Sequence, residues 1–237
     1  MTNYRIVQAS DSDDLARQAS QTIAAQIALT LDQRDRCQIA LSGGSTPSKA
    51  YALLGQEHLP WDRVDVVLGD ERWVSADDDS SNARMLRRTL LAEGPASVAV
   101  FHPVPTVELD NAEASAVAMA DLVSRLCPAS PPIFDVMLLG LGDDGHTASL
   151  FPGTDAPGVT DQWATVGRGK GLDRITLTAP VLSAARQVIF LVSGANKQEA
   201  LRRLMDPTES SERTPARLVQ PASDVLIIAD QDATAGL

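Results

Sequence analysis

Aromatic side chains are scarce in this chain: three Trp, two Tyr and four Phe make up 4% of its 237 residues. Its core must therefore be aliphatic, and the 44% of hydrophobic residues is ordinary for a globular protein. Cysteine is rarer still. Cys37 and Cys127 stand among apolar neighbours, outside any Cys-x-x-Cys or Cys/His cluster. That spacing excludes a disulfide framework or a zinc knuckle and predicts two reduced, buried thiols. Basic residues are outnumbered, 20 Lys and Arg against 31 Asp and Glu, for a net charge of −11. Nucleic acids and anionic membranes call for a basic face, so neither is an expected partner. No stretch reaches the ~18 apolar residues of a membrane span, and the first ten residues lack a basic region followed by an apolar run. The expectation is a cytoplasmic protein, with a monomer favoured, whose 237 residues form a single α/β domain. An anionic ligand would have to meet local cations inside this acidic shell.

Short apolar runs rich in β-formers alternate with longer stretches of helical period. Strands are predicted at residues 4–8, 37–41, 64–69, 98–101, 134–139, 175–178, 187–192 and 225–229. Several are apolar on successive residues, as in Val136-Met-Leu-Leu139, which suits strands covered on both faces. Helices are predicted at 11–31, 47–59, 81–92, 111–126 and 196–205, the first with Leu15, Ala19, Ile23 and Ile27 on one stripe. Alternation of this kind predicts an α/β fold with a mostly parallel, doubly wound sheet and helices on both faces. The glycine-rich stretch 153–171 reads as a long irregular loop.

Four segments have the composition of a site. Leu41-Ser-Gly-Gly-Ser-Thr-Pro47 follows a strand and opens a helix, with Pro47 read as its first residue. Gly43 and Gly44 let backbone approach a ligand, Ser45 and Thr46 add hydroxyls, and a helix N-terminus favours an anion. It lacks the Gly-Lys-Ser/Thr of a P-loop, and a plain glycine turn with a capping hydroxyl would look the same. Leu68-Gly-Asp-Glu-Arg-Trp73 ends another strand, where Asp70 and Arg72 can reach a crevice and Arg72 can present a planar fork to phosphate. A surface turn carrying a Glu–Arg pair is the bland alternative.

The third segment is Leu139-Gly-Leu-Gly-Asp-Asp-Gly-His-Thr-Ala-Ser-Leu-Phe-Pro152. It spells Gly-x-Gly-x-x-Gly, yet Pro152 and Gly153 limit any following helix to two turns, and Asp143 and Asp144 would repel a pyrophosphate. The dinucleotide reading therefore fails. What remains is a glycine loop presenting Asp144 and His146. A neutral imidazole can act as a general base on water, and a neighbouring carboxylate holds its tautomer and raises its basicity. The chain has only three histidines, and His58 and His102 lie in plain contexts. The fourth segment joins Arg174-Ile-Thr-Leu-Thr178 to a buried strand and turn ending at Lys197. A cation in a first helical turn does not help the helix dipole, which points to a ligand for Lys197.

Together these segments resemble the 6-phosphogluconolactonase family, which is related to the glucosamine-6-phosphate isomerases/deaminases. The resemblance is carried by Ser42-Gly-Gly-Ser-Thr-Pro47, Gly69-Asp-Glu-Arg72, Ser81-Asn82 with Met85, Gly140 through Pro152, Arg174 through Thr178 and Leu218-Val-Gln-Pro221. It implies a Rossmann-like fold, hydrolysis of 6-phospho-D-glucono-1,5-lactone in the oxidative pentose phosphate pathway, and neither metal nor organic cofactor. It also implies His146 as the catalytic residue and Asp70 and Asp144 as active-site carboxylates. Arg72, Lys197 and the loop Gly43, Gly44, Ser45, Thr46 would hold the phosphate, with Arg174 as a further contact. The isomerases carry a glutamate shortly after the Asp-Gly-His unit, whereas here Thr-Ala-Ser-Leu-Phe-Pro follows His146, with no carboxylate before Asp155. They also usually lack the arginine of Gly-Asp-Glu-Arg. Both departures favour the lactonase over an isomerase/deaminase. A sugar-phosphate-sensing module is a third alternative, for which no DNA-binding segment is visible.

Overall fold

The computed structural model describes residues 2–237. Its main sheet has seven strands in the order β1-β10-β9-β6-β2-β3-β5. These are β1 (Tyr4–Ala9), β2 (Cys37–Leu41), β3 (Val64–Leu68), β5 (Val100–His102), β6 (Val136–Gly140), β9 (Gln187–Val192) and β10 (Val225–Asp230), and every pairing among them is parallel. The doubly wound, mostly parallel expectation holds. All five residues of β3 and all six of β10 are buried, as both-sided cover requires.

Helix α1 (Ser12–Gln33) is capped by Asp11, whose carboxylate accepts from the Asp13 and Asp14 amides. Its predicted stripe of Leu15, Ala19, Ile23 and Ile27 is buried, and α1 packs against β1, β10 and α2 (Ser45–Leu54). The connections through α1, α2 and α3 (Asn82–Arg88) run from β1 toward the β5 edge. Those through α4 (Ala112–Leu126), α5 (Ala179–Ala184) and α6 (Gln198–Met205) run back toward β10, and right-handed crossovers then set the two groups on opposite faces. The direction reverses between β2 and β6, so a crevice opens beyond the carboxyl ends of those strands.

A second sheet, absent from the sequence reading, stands over that crevice. It is antiparallel, in the order β4-β8-β7: β4 (Asp70–Arg72), β8 (Leu172–Leu177) and β7 (Ala164–Gly169). The predicted strand at 175–178 belongs to it, not to the main sheet. Gly69 is the junction. Its amide donates to Leu41 O in β2 at 2.8 Å, and its carbonyl accepts from the Leu177 amide at 2.9 Å. The chain thus leaves β3 for the small sheet without a loop, and Asp70 and Arg72 are carried directly above the switch point.

The stretch 153–171 is not an irregular loop. It holds a short 3-10 turn (Ala156–Gly158) and the whole of β7, closed onto β8 by the two-residue turn Lys170-Gly171. Glycine conceals this strand. A Cβ at Gly167 would lie 2.4 Å from Ser149 O, and one at Gly169 2.5 Å from the Phe151 ring. Those positions are bare because the segment 142–151 packs against them. Boundaries moved elsewhere: α2 begins at Ser45, so Pro47 is its third residue, not its first, and the strand expected at 98–101 is β5 at Val100–His102, with Val98 closing a 3-10 turn (Pro95–Val98) ahead of it. Strand β4, helix α5 and the final α7 (Gln231–Thr234) were not anticipated. Cys37 and Cys127 are unpaired and buried, and burial pushes both thiols up to about 11. Among the described residues, no helix is long and apolar enough to cross a membrane.

Candidate active site

A cavity of about 430 Å³ lies at the switch point. Nine of the ten predicted site residues line it: Gly43, Gly44, Ser45, Thr46, Asp70, Arg72, His146, Arg174 and Lys197. The tenth, Asp144, holds His146.

The loop after β6 folds back on itself. The Gly142 amide donates to His146 O at 2.8 Å, and the Gly145 amide to Gly142 O at 3.0 Å. No helix follows Gly145, which removes the geometry a dinucleotide would need. The loop reverses at Gly145 (φ 91°), where a side chain would also press on Thr214. Asp144 Oδ1 accepts from the His146 amide at 3.1 Å and lies 2.5 Å from His146 Nδ1. Because a carboxylate only accepts, the proton sits on Nδ1, and Nε2 keeps its lone pair. The imidazole also rests against the Phe151 ring, centroids 4.6 Å apart.

Burial pushes His146 below the usual histidine range, and the Asp144 carboxylate only partly offsets it. The sequence reading expected Asp144 to raise the basicity. It does, but burial outweighs it, and the result is an imidazole kept neutral. Burial also works against ionised Asp144, yet the bonds from the His146 amide and ring hold it below the usual carboxylate range. The pair is therefore a neutral imidazole on an ionised carboxylate, poised to take up a proton.

The rest of the cavity suits an anion. Gly44 (φ 118°) turns the chain into α2, placing the Ser45 and Thr46 amides in the first helical turn, where no intrahelical acceptor exists. Arg72 and Arg174 are direct cross-strand neighbours on β4 and β8. Like charges so placed repel, and burial pushes Arg174 below the usual arginine range. Arg174 lies over the Phe151 ring at 5.4 Å, and Arg72 donates through Nη1 to Ser80 O. Lys197 closes a short turn (Ala195–Lys197) ahead of α6 and forms no ion pair among the described residues. Asp70 is buried in the same wall, accepting from Ser149 Oγ at 2.6 Å through Oδ2.

Several contributors escaped the sequence reading. Glu71 is not a surface partner for Arg72: it is buried and accepts from the Arg72, Asn82 and Ala83 amides at 2.7–2.8 Å, which ties α3 to β4. Burial pushes its carboxyl up despite those bonds. Asn82 donates to Asp70 O at 2.8 Å and lies so close to Gly43 that any side chain there would overlap it. Ser149, inside the histidine segment but given no role there, holds Asp70, and Lys170 came without a motif. Ser42 Oγ, Arg72 Nε, Asn82 Oδ1 and Arg174 Nε are buried without hydrogen-bond partners, four of seven such atoms among the described residues, and all four residues line this cavity. That concentration marks a site built for a polar ligand. No group of three or more His, Cys, Asp and Glu gathers at metal-binding spacing among the described residues.

A parallel sheet with its site at the switch point, a histidine–carboxylate pair and an anion-binding wall define an α/β enzyme acting on a small anionic substrate. A family model described as "Glucosamine-6-phosphate isomerases/6-phosphogluconolactonase" matches residues 10–228. A 6-phosphogluconolactonase of Synechocystis is 40% identical over 221 residues, covering 92% of both chains. The solved 6-phosphogluconolactonase of Trypanosoma cruzi superposes with a TM-score of 0.88 at 30% identity, covering 100% of this chain and 98% of that one. A monomeric glucosamine-6-phosphate deaminase shares the fold, TM-score 0.80, at 22% identity over 98% of this chain and 99% of its own. The chain belongs to the family of glucosamine-6-phosphate isomerases and 6-phosphogluconolactonases, in its lactonase branch.

Proposed function

We propose that this protein hydrolyses 6-phospho-D-glucono-1,5-lactone to 6-phospho-D-gluconate, a step of the oxidative pentose phosphate pathway. The observation that carries the reading is the meeting, in one cavity, of a neutral His146 held by Asp144 and a wall of amides and cations. The phosphate docks on the Gly43, Gly44, Ser45 and Thr46 loop with Arg72, Arg174 and Lys197. Docking at one end sets the lactone carbonyl beside His146 at the other. Nε2 removes a proton from water as its oxygen bonds to the carbonyl carbon. Asp144 supports the imidazolium, which returns the proton to the ring oxygen when the ester bond breaks. Asp70 offsets the arginines and accepts from a substrate hydroxyl. Every step uses a side chain, an N–H group or water, so the proposal invokes no metal or organic cofactor.

Ring opening and amine departure demand more proton shuttling. The residues after His146 are Thr147, Ala148, Ser149 and Leu150, and none can exchange a proton as a glutamate does. We further propose a monomeric single domain acting on a free metabolite in the cytoplasm, with no nucleic-acid or membrane partner. The acidic balance of −11 speaks against the last two partners, which call for a basic face. The test is to offer the protein freshly generated phosphorylated lactone and, separately, glucosamine 6-phosphate. Lactone hydrolysis without ammonia release is expected, and ammonia release without lactone hydrolysis would reverse the assignment.

A further inference from the structure

Lys170 sits at the tip of the β7–β8 hairpin. Gly169 and Leu172 are paired, so Lys170 and Gly171 alone make the turn, with φ of 56° and 80°. Two positive φ angles in a two-residue hairpin suit Asn-Gly, and lysine pays for the left-handed region without local compensation. A lysine at φ 56° in place of asparagine directs attention to what its side chain reaches.

The packing shows where that side chain is sent. The hairpin approaches the catalytic loop because Gly169 lies against the Phe151 ring, and Phe151 packs, tilted by 42°, against His146. Lys170 therefore enters the cavity from the His146 end and is one of its lining residues. Its nearest carboxylate oxygen is Asp143 Oδ1 at 3.8 Å, and both side chains are at least half exposed. A pair that long and that wet is weakly held, so the ammonium is free to turn inward. The phosphate cations stand apart from this turn: Lys197 lies beyond β9, and Arg72 and Arg174 are paired further along the small sheet to which the hairpin belongs.

We infer that Lys170 is the cation of the reacting end, donating to the carbonyl oxygen of the lactone as water attacks. This role rests on the lactonase reading. When the water oxygen bonds to the carbonyl carbon, the carbonyl electron pair moves onto its oxygen, and the water proton goes to His146 Nε2. The Lys170 ammonium meets that oxyanion. Collapse re-forms the carbonyl and breaks the bond to the ring oxygen, which takes the proton from His146. The new carboxylic acid loses its proton to solvent, and Lys170 faces the resulting carboxylate. A donor aimed at developing charge acts on the transition state more than on the bound substrate.

The experiment compares wild type, Lys170→Asn and Lys170→Arg on the phosphorylated lactone and on unphosphorylated glucono-1,5-lactone. Asparagine tolerates the left-handed turn, so the hairpin is kept while the charge is removed. Loss of one such donor lowers kcat by about 10²–10³-fold. The expected result is a fall of that order for Lys170→Asn on both lactones, KM nearly unchanged, and substantial recovery in Lys170→Arg. Unchanged kcat in Lys170→Asn, or a rise in KM confined to the phosphorylated substrate, would overturn the role and leave the lactonase reading standing. A wild type that hydrolyses neither lactone would overturn both.

Discussion

Gly142 lies against the catalytic imidazole: a Cβ on Gly142 would stand 2.0 Å from His146 Nδ1 and 2.5 Å from Asp144 Oδ1. The space a side chain would occupy is taken by the His146–Asp144 pair itself. The glycine of this loop that reads as a nucleotide fingerprint thus makes room for a proton relay.

Gly142→Ala is accordingly expected to leave the fold intact and misplace the histidine. The obstructing atoms are side-chain ends, which can rotate away at little cost to stability. Misplacement of a catalytic group by about 1 Å can lower turnover about 10²-fold. A fall in kcat of that order, with thermal melting shifted by only a few degrees, is the expected outcome. Wild-type turnover would mean that the pair does not need its observed position.

The pH dependence follows from the direction of the His146 shift. Catalysis needs the neutral imidazole, and burial sets His146 below the usual histidine range. The acid limb of kcat/KM should therefore lie below that range, with activity retained at pH values where an ordinary histidine is already largely protonated. Asp144→Asn removes the influence that raises His146, so the limb should move to still lower pH while kcat falls about 10²–10⁴-fold. A limb that moved to higher pH would contradict the pairing.

Arg72 and Arg174 repel each other across the β4–β8 ladder until an anion lies between them. Arg72→Met is expected to leave melting temperature unchanged or higher, since the hydrogen bond lost to Ser80 O is offset by relief of that repulsion. KM for the phosphorylated lactone should rise about 10–100-fold, as expected for a charged hydrogen bond of about 1.5–3 kcal/mol, with the unphosphorylated lactone unaffected. Steady-state kinetics on both lactones, with calorimetry of the free protein, decides it. Unchanged KM would remove Arg72 from the phosphate site.

How legible the site was depended on whether its residues announce themselves locally. The turn from β2 into α2 is written in Gly43, Gly44, Ser45 and Thr46, because a tight turn and a helix start need small and hydroxylated residues in sequence. His146 stood out because glycines surround it. The small sheet was hidden for the opposite reason. β4 is three charged residues without apolar alternation, and β7 carries Gly167 and Gly169 where the catalytic loop presses on it. Asn82 and Lys170 come to line the cavity, and Ser149 comes to hold Asp70 in its wall at 2.6 Å, only through contacts distant in sequence. No local pattern encodes those.

The central claim is that His146 is the base that activates water in a phosphate-anchored lactone site. Its most direct measurement is the initial rate of proton release from freshly generated 6-phospho-D-glucono-1,5-lactone, by wild type and His146→Asn, corrected for spontaneous hydrolysis. The expected result is rapid release by wild type, slower turnover of the unphosphorylated lactone, and a loss of most of the catalysed rate in His146→Asn with product still bound. Near wild-type turnover by His146→Asn would contradict it.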